Sequence, residues 1–258
     1  MSTTTITTSK FIAFKYKIIS IFWIATTTTF ICNTTCLNQT WQSSINHISE
    51  WLFDETFDDA LGNYNATSVN NVSFTSQGYV QQAAVFTLNA NQTLLAPYIP
   101  FTNSSFTVET WIYITGLMNV QDQCIFGLCS TTSNYQCLHI TIRKSSSNYY
   151  LYLGFYGADC QGITPLTLNT WIHAAFVYDK TSMKQSVYLN GILERNCFVS
   201  SVLNISTSTN VTIGYMPLLP PAGAYKYFQV ITHFFCKEST IIISLVGLHR
   251  SNECINTS

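Results

Sequence analysis

Thr170–Cys197 reads TWIHAAFVYDKTSMKQSVYLNGILERNC. Its first part, Trp171 to Tyr178, is an apolar run too short for an ordinary helix and rich in aromatic and β-branched residues, so it predicts a buried strand. The polar stretch Asp179 to Lys184 then leads into Ser186-Val187-Tyr188-Leu189, which stops at Asn190-Gly191. That dipeptide tolerates positive φ and suits a type I′ hairpin turn. The stretch therefore specifies antiparallel β-structure.

Period-two patterning extends outward from it. Phe106, Val108, Ile112 and Ile114 share one face of a strand, opposite Thr107, Glu109, Trp111, Tyr113 and Thr115. Leu138, Ile140 and Ile142 alternate with His139, Thr141 and Arg143; Leu151, Leu153 and Phe155 alternate with Tyr150, Tyr152 and Tyr156. Val85 to Leu88 predicts a further strand and Asn89 to Asn91 a turn. Such alternation suits sheets with one core face and one wetter face.

Three segments together resemble a known family. The pattern of Trp171–Asp179 with Val187–Gly191, the segment Ser105–Tyr113, and the segment Val211–Tyr215 are similar, in that order, to strands of laminin G-like jelly-roll domains of the concanavalin A-like lectin/glucanase superfamily, which includes pentraxins. Glu50-Trp51-Leu52-Phe53-Asp54 resembles the family's opening. The resemblance implies an all-β, two-sheet antiparallel jelly-roll sandwich over residues 50–229, preceded by an N-terminal hydrophobic segment. It implies no single function, since this architecture hosts adhesion, glycan binding and glycoside hydrolysis.

Only 9% of residues are charged, against about 25% in an ordinary soluble protein. Sequons at Asn33, Asn38, Asn65, Asn71, Asn91, Asn103, Asn204, Asn210 and Asn256 fit a glycan-coated surface that replaces ionic solvation, with Asn/Thr composition bias as the plainer account. A formal net charge of −1 without a basic run argues against a nucleic-acid partner. Nine cysteines lack CxxC or zinc-like spacing, which favours disulfides in an oxidising compartment. Cys124, Cys129, Cys137 and Cys160 cluster in the domain and are candidates for two bridges, in any of three connectivities.

Residues 1–32 combine Lys10, Lys15 and Lys17 with a short apolar core, the pattern of a secretory signal peptide or of a type II signal anchor crossing the membrane once. Either fate places the chain outside the cell. Residues 33–49 read as a polar stalk. Beyond Gln229 the sequence departs from the family's closing strand, so residues 230–258 are expected to be an atypical tail, as a mis-spliced or read-through end would be.

The chemistry points to recognition. Retaining glucanases of the superfamily carry paired carboxylates on one strand, and Glu109, Asp122, Asp159, Asp179 and Glu194 form no such set. His139 and His173 stand alone. Asp54, Asp58 and Asp59, with Asp122 and Asp159 in the loops, are candidate calcium ligands, although solvated turns explain the acidic cluster better. Trp111, Tyr113, Tyr150, Tyr152 and Tyr156 are candidate sugar-stacking residues, against the plainer account that they pack or lie under loops. The loops Gly116–Gln136 and Gly157–Leu168 form an alternative site. The expected function is a non-enzymatic extracellular module for a glycan or an extracellular protein; a purely structural ectodomain and a degenerate hydrolase are the rivals.

Non-reducing peptide mapping with glycosite analysis of protein recovered from the medium should find disulfide-linked, glycosylated peptides. Cytosolic protein with every thiol free would overturn the extracellular assignment. Transcript sequencing across the codon for Val230 should reveal a splice or read-through junction, and an uninterrupted abundant message would remove the idea of a foreign tail.

Overall fold

A computed structural model describes residues 48–79, 81–87, 90–117, 119, 121–131 and 133–216, and the backbone of residues 47, 225–226, 229–238 and 241–243. Every regular element among them is a β-strand, numbered here in chain order. The first sheet holds β1 (His47–Trp51), β3 (Ser73–Thr75), β4 (Ala83–Phe86), β6 (Phe106–Gly116), β11 (Trp171–Asp179), β12 (Lys184–Leu189), β13 (Ile192–Phe198), β16 (Gln229–Glu238) and β17 (Ile241–Ile243). The second holds β2 (Thr67–Val69), β5 (Thr93–Ala96), β7 (Asp122–Cys129), β8 (Cys137–Ser145), β9 (Asn148–Gly154), β10 (Asp159–Gln161), β14 (Val211–Ile213) and β15 (Tyr225–Lys226). Pairing is antiparallel apart from β1–β17 and β7–β15. The architecture is an all-β jelly-roll sandwich.

The deciding stretch folds as its residues dictate. β11 pairs with β12 from Ala174↔Leu189 to Asp179↔Lys184, and β12 turns into β13 through Asn190 and Gly191, whose φ values are 52° and 77°. Both central residues thus have positive φ, as a type I′ turn requires. Asn190 also accepts the His173 N–H at 2.9 Å, tying the turn to β11. Between β11 and β12, Asp179 accepts the Thr181 N–H at 2.9 Å and the Ser182 hydroxyl. The Ser182 hydrogen bond is the main reason that the Asp179 carboxyl is held below its usual range.

β11 also pairs with β6, so one face of each meets the second sheet. Phe106, Val108, Ile112 and Ile114 from β6 and Ile172, Ala174, Phe176 and Tyr178 from β11 are buried in one core with Leu138, Ile140, Ile142, Leu151, Leu153 and Phe155. Phe106 lies 4.8 Å from Phe101, 5.6 Å from Tyr178 and 6.0 Å from Phe155 between ring centres. Truncating such a ring costs about 3–5 kcal/mol, because transfer and cavity costs add.

The second sheet departs from the expected dry and wet faces. Its outward-facing His139, Thr141, Tyr152 and Cys124 are buried too, and every residue of β7 is buried. Asp122 there takes hydrogen bonds from Thr141 and Arg143, the kind of partnering that permits a polar group to be buried.

The disulfides follow the fold and differ in part from the cluster expected between Cys124 and Cys160. Cys129 pairs with Cys137 across neighbouring strands, but Cys160 pairs with Cys197, and Cys124 is a buried thiol. The reason is geometric. Cys197 lies opposite the buried Gln185 on the inward side of β13, where it meets Cys160 of β10 with Cα atoms 5.5 Å apart. The Cys160–Cys197 bridge therefore joins the last strand of one sheet to the last strand of the other.

Residues 229–238, where the sequence leaves the family pattern, form β16, which pairs with β1, β4 and β6. The signal or anchor segment, residues 33–46, Asn33, Asn38, Asn256, Cys32, Cys36 and Cys254 lie outside the described residues, as does the Cys236 side chain. Among the described residues no helix is long and apolar enough to cross a membrane.

The Cys160–Cys197 bridge closes a sequence separation of 37 residues, so the chain-entropy model assigns it about 4 kcal/mol. The double variant Cys160→Ser/Cys197→Ser should melt roughly 10 °C lower than the parent in calorimetry. An unchanged midpoint would show that the sandwich edge holds without the bridge.

Candidate functional site

The aromatic residues singled out in the sequence fall on opposite sides of the sandwich. On the outer face of the first sheet, Trp111 stands opposite His173 and Tyr113 opposite Trp171, through the β6–β11 register. Tyr79, from the segment before β4, stacks on Trp111 with centroids 3.6 Å apart and planes 11° apart, and meets Trp171 edge-on at 6.0 Å. His173 lies 5.2 Å from Trp111 in ring centres, and its Nε2 is 3.7 Å from Glu109 Oε2. Trp111 is thus roofed by the chain's own tyrosine. Tyr79 and Trp171 were not among the candidate stacking residues, Trp171 having been placed in a buried strand, and the pairing of β6 with β11 was the signal that could have brought Trp171 in.

Tyr150, Tyr152 and Tyr156 belong to the second sheet and the turn after it. The register places Arg143 opposite Tyr150 and Asp122, Thr141 opposite Tyr152, and His139 opposite Gly154. Arg143 grips the fully buried Asp122 with two hydrogen bonds, Nε to Oδ1 at 2.7 Å and Nη2 to Oδ2 at 2.9 Å, while Thr141 donates to Oδ1 at 3.0 Å. The Arg143 guanidinium also lies 3.3 Å from the Tyr152 ring centre. Buried charge is costly unless paired and hydrogen-bonded, and here both conditions are met. The result is a rigid polar floor.

Above that floor opens a cleft of about 310 Å³, lined by Gln121, Asn134, His139, Arg143, Tyr156, Gly157 and Asp159. Tyr156 (φ 58°) and Gly157 (φ 100°) turn through the left-handed region at its rim, a conformation that costs a non-glycine residue strain and that clusters at functional sites. Gly154 is obligatory for packing: a Cβ there would clash with His139 and stand 2.8 Å from Asp159 Oδ1. Burial, aided by the Arg143 charge, pushes His139 down to about 3, so the imidazole is neutral at physiological pH. Burial and the Asp122 carboxylate push the Cys124 thiol up, so it stays protonated and unreactive. The cleft therefore unites Tyr156 and Asp159 with Asn134, Gln121 and Arg143. Asn134 and Gln121 fall within Gly116–Gln136, one of the two loops the sequence offered as the alternative site, although neither residue was singled out there.

The acidic candidates serve other tasks. Asp59 is buried and accepts backbone N–H groups from Glu50 at 2.7 Å, Leu61 at 3.3 Å, and Asn63 and Tyr64 at 3.0 Å each. Asp54 accepts the Gln82 N–H at 3.0 Å, and the exposed Asp58 accepts the Thr56 hydroxyl at 2.7 Å. These three belong to the loop after β1, whereas Asp122 and Asp159 belong to the second sheet. Calcium takes six to eight converging oxygens, and among the described residues no group of three or more His, Cys, Asp or Glu side chains is placed to hold a metal.

His139 makes the fold acid-sensitive. Its folded-state value is depressed to about 3 from 6.5, so between those limits the unfolded chain binds the extra proton and stability rises with pH. Unfolding free energy should fall by up to about 1.4 kcal/mol per pH unit on acidification through that window, and His139→Gln should flatten the slope in urea titrations. An identical slope in the variant would remove His139 as the cause.

Residues 87–229 match the family model described as the concanavalin A-like lectin/glucanases superfamily. No curated protein matches the chain. Among solved structures, domain 4 of AbnA, an extracellular GH43 arabinanase from Geobacillus stearothermophilus in complex with arabinotriose, is similar with a TM-score of 0.53 at 18% identity, covering 73% of this chain and 92% of that one. The botulinum neurotoxin serotype D binding domain is similar with a TM-score of 0.57 at 11% identity, covering 80% of this chain and 50% of that one. A botulinum neurotoxin type C structure, described as entering cells through interaction with two ganglioside molecules, gives 0.54 at 13% identity, covering 80% and 49%. The chain thus spans about half the length of the two toxin chains. With the family match extending over more than half of the sequence and the sandwich built as that family builds it, the chain belongs to the concanavalin A-like lectin/glucanases superfamily.

Proposed function

We propose that this protein is a non-catalytic, extracellular glycan-recognition module whose binding site is the cleft over β8 and β9. The observation that carries the reading is the cleft itself: a concavity of about 310 Å³ in which amides, a carboxylate and an aromatic ring converge over a floor locked by Arg143 and Asp122. Sugar recognition needs that combination, hydrogen-bonding groups for hydroxyls and a ring for the apolar C–H face. Likeness to an arabinotriose-bound domain and to a toxin that interacts with gangliosides supports the ligand class.

Asp159 and the pinned Asp122 do not make a glycosidase pair. Such a pair needs one carboxyl as acid and a second free to act as nucleophile or base, and Asp122 is held by Arg143 and Thr141. Two disulfides and sequon asparagines at Asn65, Asn71, Asn91, Asn103, Asn204 and Asn210 that are all exposed support export and glycosylation. None of these asparagines lies on β6, β11, β12 or β13.

A second reading, docking of an extracellular protein, is favoured by one observation. β13 ends the first sheet and exposes Ile192 at 69%, Leu193 at 44% and Phe198 at 78%, an apolar edge of the kind that marks interaction sites.

A glycan array followed by calorimetry on the secreted full chain separates the two. Sugar binding that Tyr156→Ala and Asn134→Ala each weaken at least tenfold, with an unchanged melting midpoint and no effect of EDTA, is the expected outcome. Silence on every glycan, together with protein capture that Phe198→Asp abolishes, would replace the glycan reading with adhesion.

A further inference from the structure

The charges lining the cleft differ in how far they are compensated, and that difference bears on which sugars fit. Arg143 brings the cleft's positive charge, but both arms of its fork are committed to Asp122, at 2.7 and 2.9 Å, and its plane lies on Tyr152. A guanidinium so paired offers little net attraction to an incoming anion, because the carboxylate beneath it cancels its field at short range. His139 is 1% exposed and neutral at physiological pH. Asp159 is different: it is exposed, and among the described residues no cation forms an ion pair with it. Of the residues that line the cleft, it contributes the uncompensated charge.

Asp159 is also poised geometrically. It opens β10 opposite Gly154, and its Oδ1 sits beside the space left by the missing Cβ of that glycine. A carboxylate accepts hydrogen bonds on two adjacent oxygens and donates none, which matches two neighbouring hydroxyls of a sugar ring. Asn134 and Gln121 each carry a donor and an acceptor for a third and fourth hydroxyl, and Tyr156 supplies an apolar ring face.

Resting on the glycan-binding reading above, we infer that the cleft selects neutral sugars presenting adjacent hydroxyls and rejects sialylated, sulfated or uronic sugars. Asp159 is the residue that determines this selectivity. An anionic substituent would approach its carboxylate without a free cation to offset the repulsion, whereas neutral hydroxyls would satisfy it.

The test is binding of the secreted full chain to four immobilised sets: neutral hexose oligosaccharides, N-acetylhexosamine oligosaccharides, sialylated glycans and sulfated glycans. The expected result is binding to neutral sugars at least tenfold tighter than to either acidic set. Asp159→Asn should weaken neutral-sugar binding at least tenfold while leaving the melting midpoint in place. Binding confined to acidic glycans, still sensitive to Tyr156→Ala and Asn134→Ala, would overturn the selectivity and leave the cleft as a glycan site. Tighter binding of any set by Asp159→Asn would likewise overturn it. Absence of binding to all four sets would overturn the inference together with the reading on which it rests.

Discussion

The burial of one face of β6 and β11 against the second sheet is the constraint on which the rest of this structure depends. Phe106, Phe176 and Tyr178 meet Phe155, Leu151 and Leu153 between the layers, and aromatic rings of this size contribute more area per residue than any other side chains. A chain with so little charge has few ion pairs to distribute over its surface. Its stability comes instead from this apolar interlayer, from backbone ladders, and from a covalent tie between the edges of the two sheets.

Once the sheets are stacked, their outer faces diverge. The first sheet's outer face collects aromatic rings that pack on one another, with Tyr79 flat on Trp111. The second sheet's outer face is polar yet buried, and it is held by a forked Arg143–Asp122 pair with Thr141 as a third partner. Buried ion pairs give modest stability relative to well-packed apolar residues, but removing one partner is severe. Their value in this position is definition of shape: the pair fixes side chains at the base of a cleft, and preorganised polar groups bind with less ordering cost. The neutral His139 packed against Gly154 adds to the same rigidity.

Loops complete the surface. Tyr156 and Gly157 use left-handed backbone conformations to hold the rim of the cleft, and the Asn134 amide packs against Gly157 at that rim. Function placed on loops over a rigid scaffold is a general outcome of their freedom from ladder pairing. Asp59 shows the complementary use of a loop acid, gathering N–H groups after β1 so that the chain can turn without stranded donors.

Much of the fold was legible in the sequence because side-chain direction alternates along a strand. Trp171–Asp179, the Asn190-Gly191 turn and the inward residues of β6, β8 and β9 follow from that rule and from the backbone preferences of Asn and Gly. Tertiary structure alone decided what long-range packing determines. It divided Trp111 and Tyr113 from Tyr152 and Tyr156, paired Cys160 with Cys197, covered an outer face expected to be wet, and brought Asn134, Tyr156 and Asp159 around one cleft. Local periodicity states which way a side chain points, while its neighbours across the sandwich depend on register and sheet order, which no short stretch of chain encodes.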